Sequence, residues 1–269
     1  MTGAEFGTEW AFGAISLPAM AAVVVTVILA GLVHGALGLG FPMVATPLIA
    51  VFLDVRVAIL ITLLPTAAVN IASIWSAKPT VKLLRRYSVL AMTSLLGAVA
   101  GSMVLSVSSA EPFKLLLALL ILLFLYSSQQ DSSQQGIWRR DWFVANPLTA
   151  MVVTGLLGGF SAGTTNVMVA ILIIYFLAME IERREMVPAM NLCFLIGKLS
   201  QIVVFAVAGL VDFQLILTTT PLAIVSLLAL WAGQKVSTRI PQDRYRRLLR
   251  YLLALLAAIL LFQFLSVLL

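Results

Sequence analysis

The sequence predicts an all-α polytopic membrane protein of two inverted repeats, each a broken or re-entrant helical segment followed by three transmembrane helices. Three observations point there. Of 269 residues, 62% are hydrophobic and 10% charged, where a soluble domain carries about 25% charged residues. The apolar runs recur along the whole chain instead of marking one core. Two of the runs are too long for a single crossing, and both contain a glycine-rich interruption.

In order, the apolar segments are 17–53, 57–76, 87–107, 112–127, 147–179, 186–208, 213–233 and 247–268. Six have single-span length, since about 20 residues cross the hydrocarbon. Segments 17–53 and 147–179 are broken at "HGALGLGFP" (34–42) and "GGFSAGTTN" (158–166). Glycine clusters and Pro42 interrupt helices. Glu5 and Glu9 precede the first span without any Lys or Arg, so no cleaved signal peptide is expected. The single cysteine, Cys193, lies in an apolar run, which gives neither a disulfide framework nor a cysteine metal site.

All seventeen Lys and Arg residues can be placed. Lys78, Lys82, Arg85 and Arg86 join the second and third segments. Arg139 and Arg140 fall in the central linker, and Arg183 and Arg184 follow the second broken segment. Lys235, Arg239, Arg244, Arg246, Arg247 and Arg250 precede the last helix. Arg56 and Lys114 remain for the other side, and Lys198 for the membrane. The excess of cations on cytoplasmic loops puts the four clusters inside. The net charge of +6 thus reflects topology and not nucleic-acid binding. Segment 147–179 must then enter and return on one side, as a re-entrant hairpin or a pair of short spans. Such backbone survives at membrane depth only where protein or a cavity covers it. Both termini are expected outside the cytoplasm, in a multi-pass inner-membrane protein. Trp75, Trp138, Trp142 and Trp231 lie near the basic clusters and read as interface anchors.

The broken segments overlay without a gap: "GLVHGALGLGFPMVATPLIAVFL" from Gly31 and "GLLGGFSAGTTNVMVAILIIYFL" from Gly155. The expected organisation is a first repeat at 1–126, a polar cytoplasmic linker at 127–146 and a second repeat at 147–269, together one membrane domain. The basic loop 77–86 faces the cytoplasm, while its counterpart 208–214 has no Lys or Arg, so the repeats are inverted. Inverted repeats with interrupted helices are a carrier pattern, with the site near the bilayer midplane. The other possibility is an old duplication kept for packing alone.

These two glycine-rich segments, and the plan of four segments, a linker and four more, resemble the sulfite exporter TauE/SafE family, grouped with toluene-sulfonate uptake permeases. The resemblance covers nearly the whole chain. It implies secondary transport of a small sulfur-containing anion such as sulfite, a sulfonate or an organosulfonate. The first half keeps Gly35, Gly38, Gly40, Pro42 and Pro47; the second has Thr164, Thr165 and Asn166 where the family usually has glycine, and no proline.

Pro42 suits the first turn of a helix, so a half-helix is expected from about 42 to 53. Thr164, Thr165 or Asn166 is expected to cap its counterpart. Two such N-termini converging at one depth would form an anion site, through unpaired N–H groups and the positive dipole end. Gly38 and Gly40 would let a ligand approach the backbone, or else serve helix packing. Lys198 lies midway along an apolar segment without a carboxylate. A cation there costs about 2.5–3.5 kcal/mol on insertion scales and marks function by default. The alternatives are an ion pair across the bundle or a neutral lysine. Asn191 and Gln201 share roughly its face, and Asn70 occupies a comparable depth in the first repeat. Each lines the site or bonds to a neighbouring helix. His34, the only histidine, contacts anion, shuttles a proton, or is a buried hydrogen-bonded side chain. Asp54 and Arg56 are expected at the outer surface, and "MEIERREM" (179–186) as a solvated loop.

The function expected is therefore a secondary transporter whose anion sits at midplane between opposed half-helix N-termini and Lys198. It needs no cofactor, and an ion gradient, with a coupling proton or other ion, supplies the energy. An anion channel on the same scaffold is the alternative, distinguished by its non-saturable flux. An intramembrane enzyme is disfavoured, because no metal-ligand set or carboxylate pair falls inside a span. A non-transporting assembly factor would bind no anion.

Overall fold

The computed structural model describes residues 16–109, 111–127, 140–237 and 242–268. Most of the linker, with Trp138 and Arg139, lies outside these residues, as do the N-terminal stretch and Arg239. The described residues form helices and no strand. Six of those helices are long and apolar enough to cross a membrane, and one bent pair makes a seventh candidate.

The first broken segment is α1 (Leu17–Leu37) and α2 (Phe41–Ala50). Gly38 and Gly40 take left-handed φ of 81° and 103°, which only glycine adopts freely. Gly38 ends α1, and Gly40 stands before α2 with Pro42 in its first turn. The half-helix thus starts where proline placed it, and gives way to a turn at 51–53.

Segment 57–76 is not one straight span. It is α3 (Val55–Ile61) and α4 (Leu63–Ala77), bent by 47°. The physical cause sits at the join. Thr62 Oγ1 donates back to the carbonyls of Ala58 and Ile59, at 2.7 and 3.1 Å, a contact that bends helices. Pro65 follows without an N–H to continue the ladder. Asp54 caps α3 by accepting from the Arg56 N–H at 2.8 Å. Arg56 itself is buried and not a surface side chain, and it donates to the Ser108 carbonyl at the end of α6 (Ser88–Val107). Between α4 and α6 lies the short α5 (Val81–Arg86), which buries no side chain.

After α7 (Glu111–Ser127) and the short α8 (Arg140–Ala145), the second broken segment forms α9 (Pro147–Thr165) and α10 (Val169–Ala178). Then come α11 (Arg183–Val207), α12 (Phe213–Ser237) and α13 (Gln242–Leu268). Segment 147–179 is therefore two helices around a break, as its length requires.

The two halves interlock through glycine. On α9, Gly155, Gly159 and Gly163 face α6, whose Gly97 and Gly101 face back. A Cβ on Gly159 would stand 2.1 Å from the Ser94 carbonyl oxygen, and one on Gly97 would stand 2.2 Å from that of Leu156. The same arrangement joins α1 to α12. A Cβ on Gly35 would lie 2.1 Å from the Leu230 carbonyl oxygen, and one on Gly233 would lie 2.3 Å from that of Leu32. Small residues four apart let helix backbones approach closely where no water drives association. Gly31 and Gly35, and their overlaid partners Gly155 and Gly159, are thus packing glycines. Each broken segment's long helix docks on the third long helix of the other half.

Candidate polar site in the bundle interior

Lys198 is 5% exposed, and its partners are neutral. The ammonium donates to the Asn166 Oδ1 and to the Gln201 Oε1. No carboxylate among the described residues forms an ion pair with it. Hydrogen bonds involving a charged group contribute roughly 1.5–3 kcal/mol each, so two of them offset an insertion cost of similar size. An ammonium has three donors, and these two amides take two of them.

The network continues into the first half. Asn166 Nδ2 donates to Thr46 Oγ1 and Thr62 Oγ1, both at 3.1 Å, and those hydroxyls lie 3.4 Å apart. Gln201 is fixed on the other side, donating to the Gly163 carbonyl at 3.0 Å. Lys198 is thereby surrounded by α2, the α3–α4 bend, the α9–α10 break and α11. Asn166 can stand in this break because its φ of 65° ends α9 in the left-handed region, which asparagine tolerates better than other side chains.

Thr164 and Thr165 do not cap the half-helix, contrary to the expectation. Both are buried in the last turn of α9. Their hydroxyls return to the carbonyls of Phe160 and Ser161, each at 2.8 Å. Asn166 caps the end of α9, while α10 starts after Met168 with no side-chain cap at all. Its first N–H groups have no intrahelical carbonyl to reach, and its positive dipole end begins three residues after Asn166.

A second polar centre surrounds the first break. His34 is fully buried. Its Nδ1 accepts the Phe41 N–H at 3.2 Å, and its Nε2 lies 2.9 Å from Ser73 Oγ. The acceptor role of Nδ1 leaves the proton on Nε2, so imidazole caps α2 and tethers it to α4. Asn191 Nδ2 donates to the Gly38 carbonyl at 2.8 Å and to that of Val187 at 2.9 Å. Asn191 therefore belongs to the first break and not to the Lys198 cluster.

Helix α11 measures the separation of the breaks. The first meets it at Asn191, the second at Lys198, seven residues further, or about 10 Å at 1.5 Å per residue. The two positions fall on either side of the middle of α11. The half-helix starts therefore do not converge at one level, as the overlay implied. The segments overlap instead, which is why the second break touches Thr46 in mid-α2 and not Phe41 at its start.

Asn70 lies between the centres. It is fully buried, and neither amide atom has a partner; the Thr66 hydroxyl is also buried and unpartnered. Thr62, Thr66, Asn70 and Ser73 follow one face of the helix at spacings of four, four and three. Thr46, Thr62 and Ser73 were not singled out from the sequence; for Thr62 and Ser73 that spacing in an apolar segment was a visible signal, and for Thr46 in α2 there was none. At the Arg183 end of α11, Arg86 pairs with Glu185 at 2.9 Å and Arg183 donates to the Leu37 carbonyl at 2.9 Å. The 179–186 segment is thus tied to the first half at its end. Among the described residues no cluster of His, Cys, Asp and Glu is arranged to hold a metal ion.

The chain belongs to the sulfite exporter TauE/SafE family, whose model matches residues 23–260. This is a family of membrane transporters. No curated protein and no solved structure matches the chain.

Proposed function

We propose that this TauE/SafE family member is a secondary transporter for a small sulfur-containing anion, sulfite, a sulfonate or an organosulfonate, and that the anion binds at Lys198. One observation carries the proposal: a buried ammonium, held only by neutral amides, at the junction of both halves. A structural cation would be expected to face a carboxylate. Here the remaining ammonium donor, the Thr46 hydroxyl and the uncapped start of α10 supply donors for an oxyanion, and the Asn166 amide becomes free to join them when its bonds to Thr46 and Thr62 part. Lys198 gives the charge, and Asn166 and Gln201 hold it in place.

The element bounds support two repeats, and the basic loop 77–86 against 208–214, which has no Lys or Arg, supports their inversion. Helix α2 spans 41–50 and α10 spans 169–178, while α3 begins at 55 and α11 at 183. The same displacement pairs Asn70 with Lys198 and Ser73 with Gln201. With both termini outside the cytoplasm of an inner-membrane protein, one repeat rocks against the other around the anion. The Asn166 bonds to Thr46 and Thr62 are the joints that part and re-form. An ion gradient drives the cycle.

Flux of radiolabelled sulfite into proteoliposomes tests this. The parent should show saturable, gradient-coupled flux. Lys198→Gln, which keeps a hydrogen-bonding side chain but not the charge, should lose roughly 10- to 100-fold in apparent affinity, the worth of one charge-assisted contact. Equal affinity in both proteins would remove Lys198 from the site, and linear, uncoupled flux would make the protein a channel.

A further inference from the structure

We propose that Asn70, with Thr66 and Asn191, forms a second, uncharged station for the same oxyanion, roughly 10 Å from Lys198 on the Arg183 side. This rests on the transport proposal above. Burying an amide without partners destabilises a fold, and Asn70 leaves both amide atoms unpartnered at zero exposure. The Thr66 hydroxyl one turn earlier is also unpartnered, and so is the Oδ1 of Asn191. These three side chains hold most of the unpartnered polar atoms along the α4 and α11 faces. Thr66 and Asn70 lie between the two polar centres, with Asn191 at the edge of the first: Thr62 at one end of the face touches Asn166, and Ser73 at the other touches His34.

Asn70 Nδ2 and Thr66 Oγ1 are donors to an oxyanion, and the Oδ1 atoms of Asn70 and Asn191 accept from the O–H of a protonated oxyanion or its water. The α2 N-terminus adds a positive dipole end at this level. Arg183 lies on the Leu37 carbonyl, where it offsets the negative end of α1. No carboxylate occurs among residues 62–77 or 186–207. By the displacement relating the halves, Asn70 is the counterpart of Lys198. The charged position then binds firmly, and the neutral one passes the anion toward the mouth without trapping it.

Asn70→Leu separates this role from packing, because leucine keeps the branching at Cγ, with bulkier methyl ends, and removes both orphaned atoms. The purified variant should melt no lower than the parent and keep the rise in Tm that sulfite causes at Lys198. Its sulfite flux in proteoliposomes should fall roughly 10- to 100-fold, the loss expected for contacts to a charged group. Asn70→Asp, which puts a carboxylate on the path, should abolish flux and keep the fold. Asn70→Ser covers the case in which Asn70→Leu does not fold, with flux below the parent and the sulfite shift retained. Parent-level flux in any of these variants would overturn the station. A parent protein with neither a sulfite shift nor flux would remove the transport proposal itself, and the station with it.

Discussion

Replacing Gly159 with alanine tests how tightly the two halves are locked. The new Cβ would stand 2.1 Å from the Ser94 carbonyl oxygen and 2.9 Å from the Ala98 nitrogen. Carbon and carbonyl oxygen on neighbouring helices rest at about 3.3–3.6 Å, so α6 and α9 must part by about 1 Å. Both obstacles are backbone, so no rotamer change relieves them. Overpacking of this kind costs about 1–3 kcal/mol. At roughly 2–4 °C per kcal/mol for a chain of this size, Tm in detergent should fall by roughly 2–12 °C. The comparison is Gly209→Asn: Gly209 has a φ of +73° with nothing within 4 Å of a Cβ, and asparagine accepts that conformation, so Tm should barely move. Differential scanning fluorimetry of the two variants beside the parent gives the answer. An unchanged Tm for Gly159→Ala would refute the interlock between the halves.

Further consequences follow from the polar centres. Asn166→Gly keeps the left-handed backbone but deletes the amide between Lys198 and the two threonines; the fold should persist while sulfite affinity drops by roughly tenfold, measured as saturable flux. Thr62→Val removes the back-bond at the α3–α4 bend and one acceptor for Asn166; it should lower Tm and slow flux together. The Arg86–Glu185 pair is half-exposed, so Arg86→Gln should change stability by less than about 1 kcal/mol, seen as a small Tm shift.

Much of the fold was legible because its signals are local. Glycine with proline at 38–42 gives a break whatever surrounds it, and the length of 147–179 with its flanking arginines demands two helices. Lys198 stood out because a cation is costly in an apolar span. The cap at the second break was misplaced for a physical reason. An ungapped overlay sets Phe41 against Thr165, but α9 runs one turn further before Asn166 ends it, and α10 starts only at Val169. An extra helical turn leaves the apolar pattern nearly intact, so periodicity does not reveal it. The bend at Thr62 was hidden because threonine inside a span ordinarily bonds back to its own helix. The partners Thr46 and Thr62 come from the other half of the chain, where only tertiary packing of overlapping segments brings them to Asn166. The shared helix face makes Asn191 a neighbour of Lys198 in the sequence, and the overlap of the breaks places it two turns away, on the Gly38 carbonyl.

The most direct measurement is the melting temperature of the purified parent and of Lys198→Gln across a sulfite titration, with chloride as the control salt. Sulfite should raise the parent's Tm in a saturable way and leave the variant's where chloride leaves it. Matching sulfite curves for the two proteins would contradict an oxyanion held by that buried ammonium.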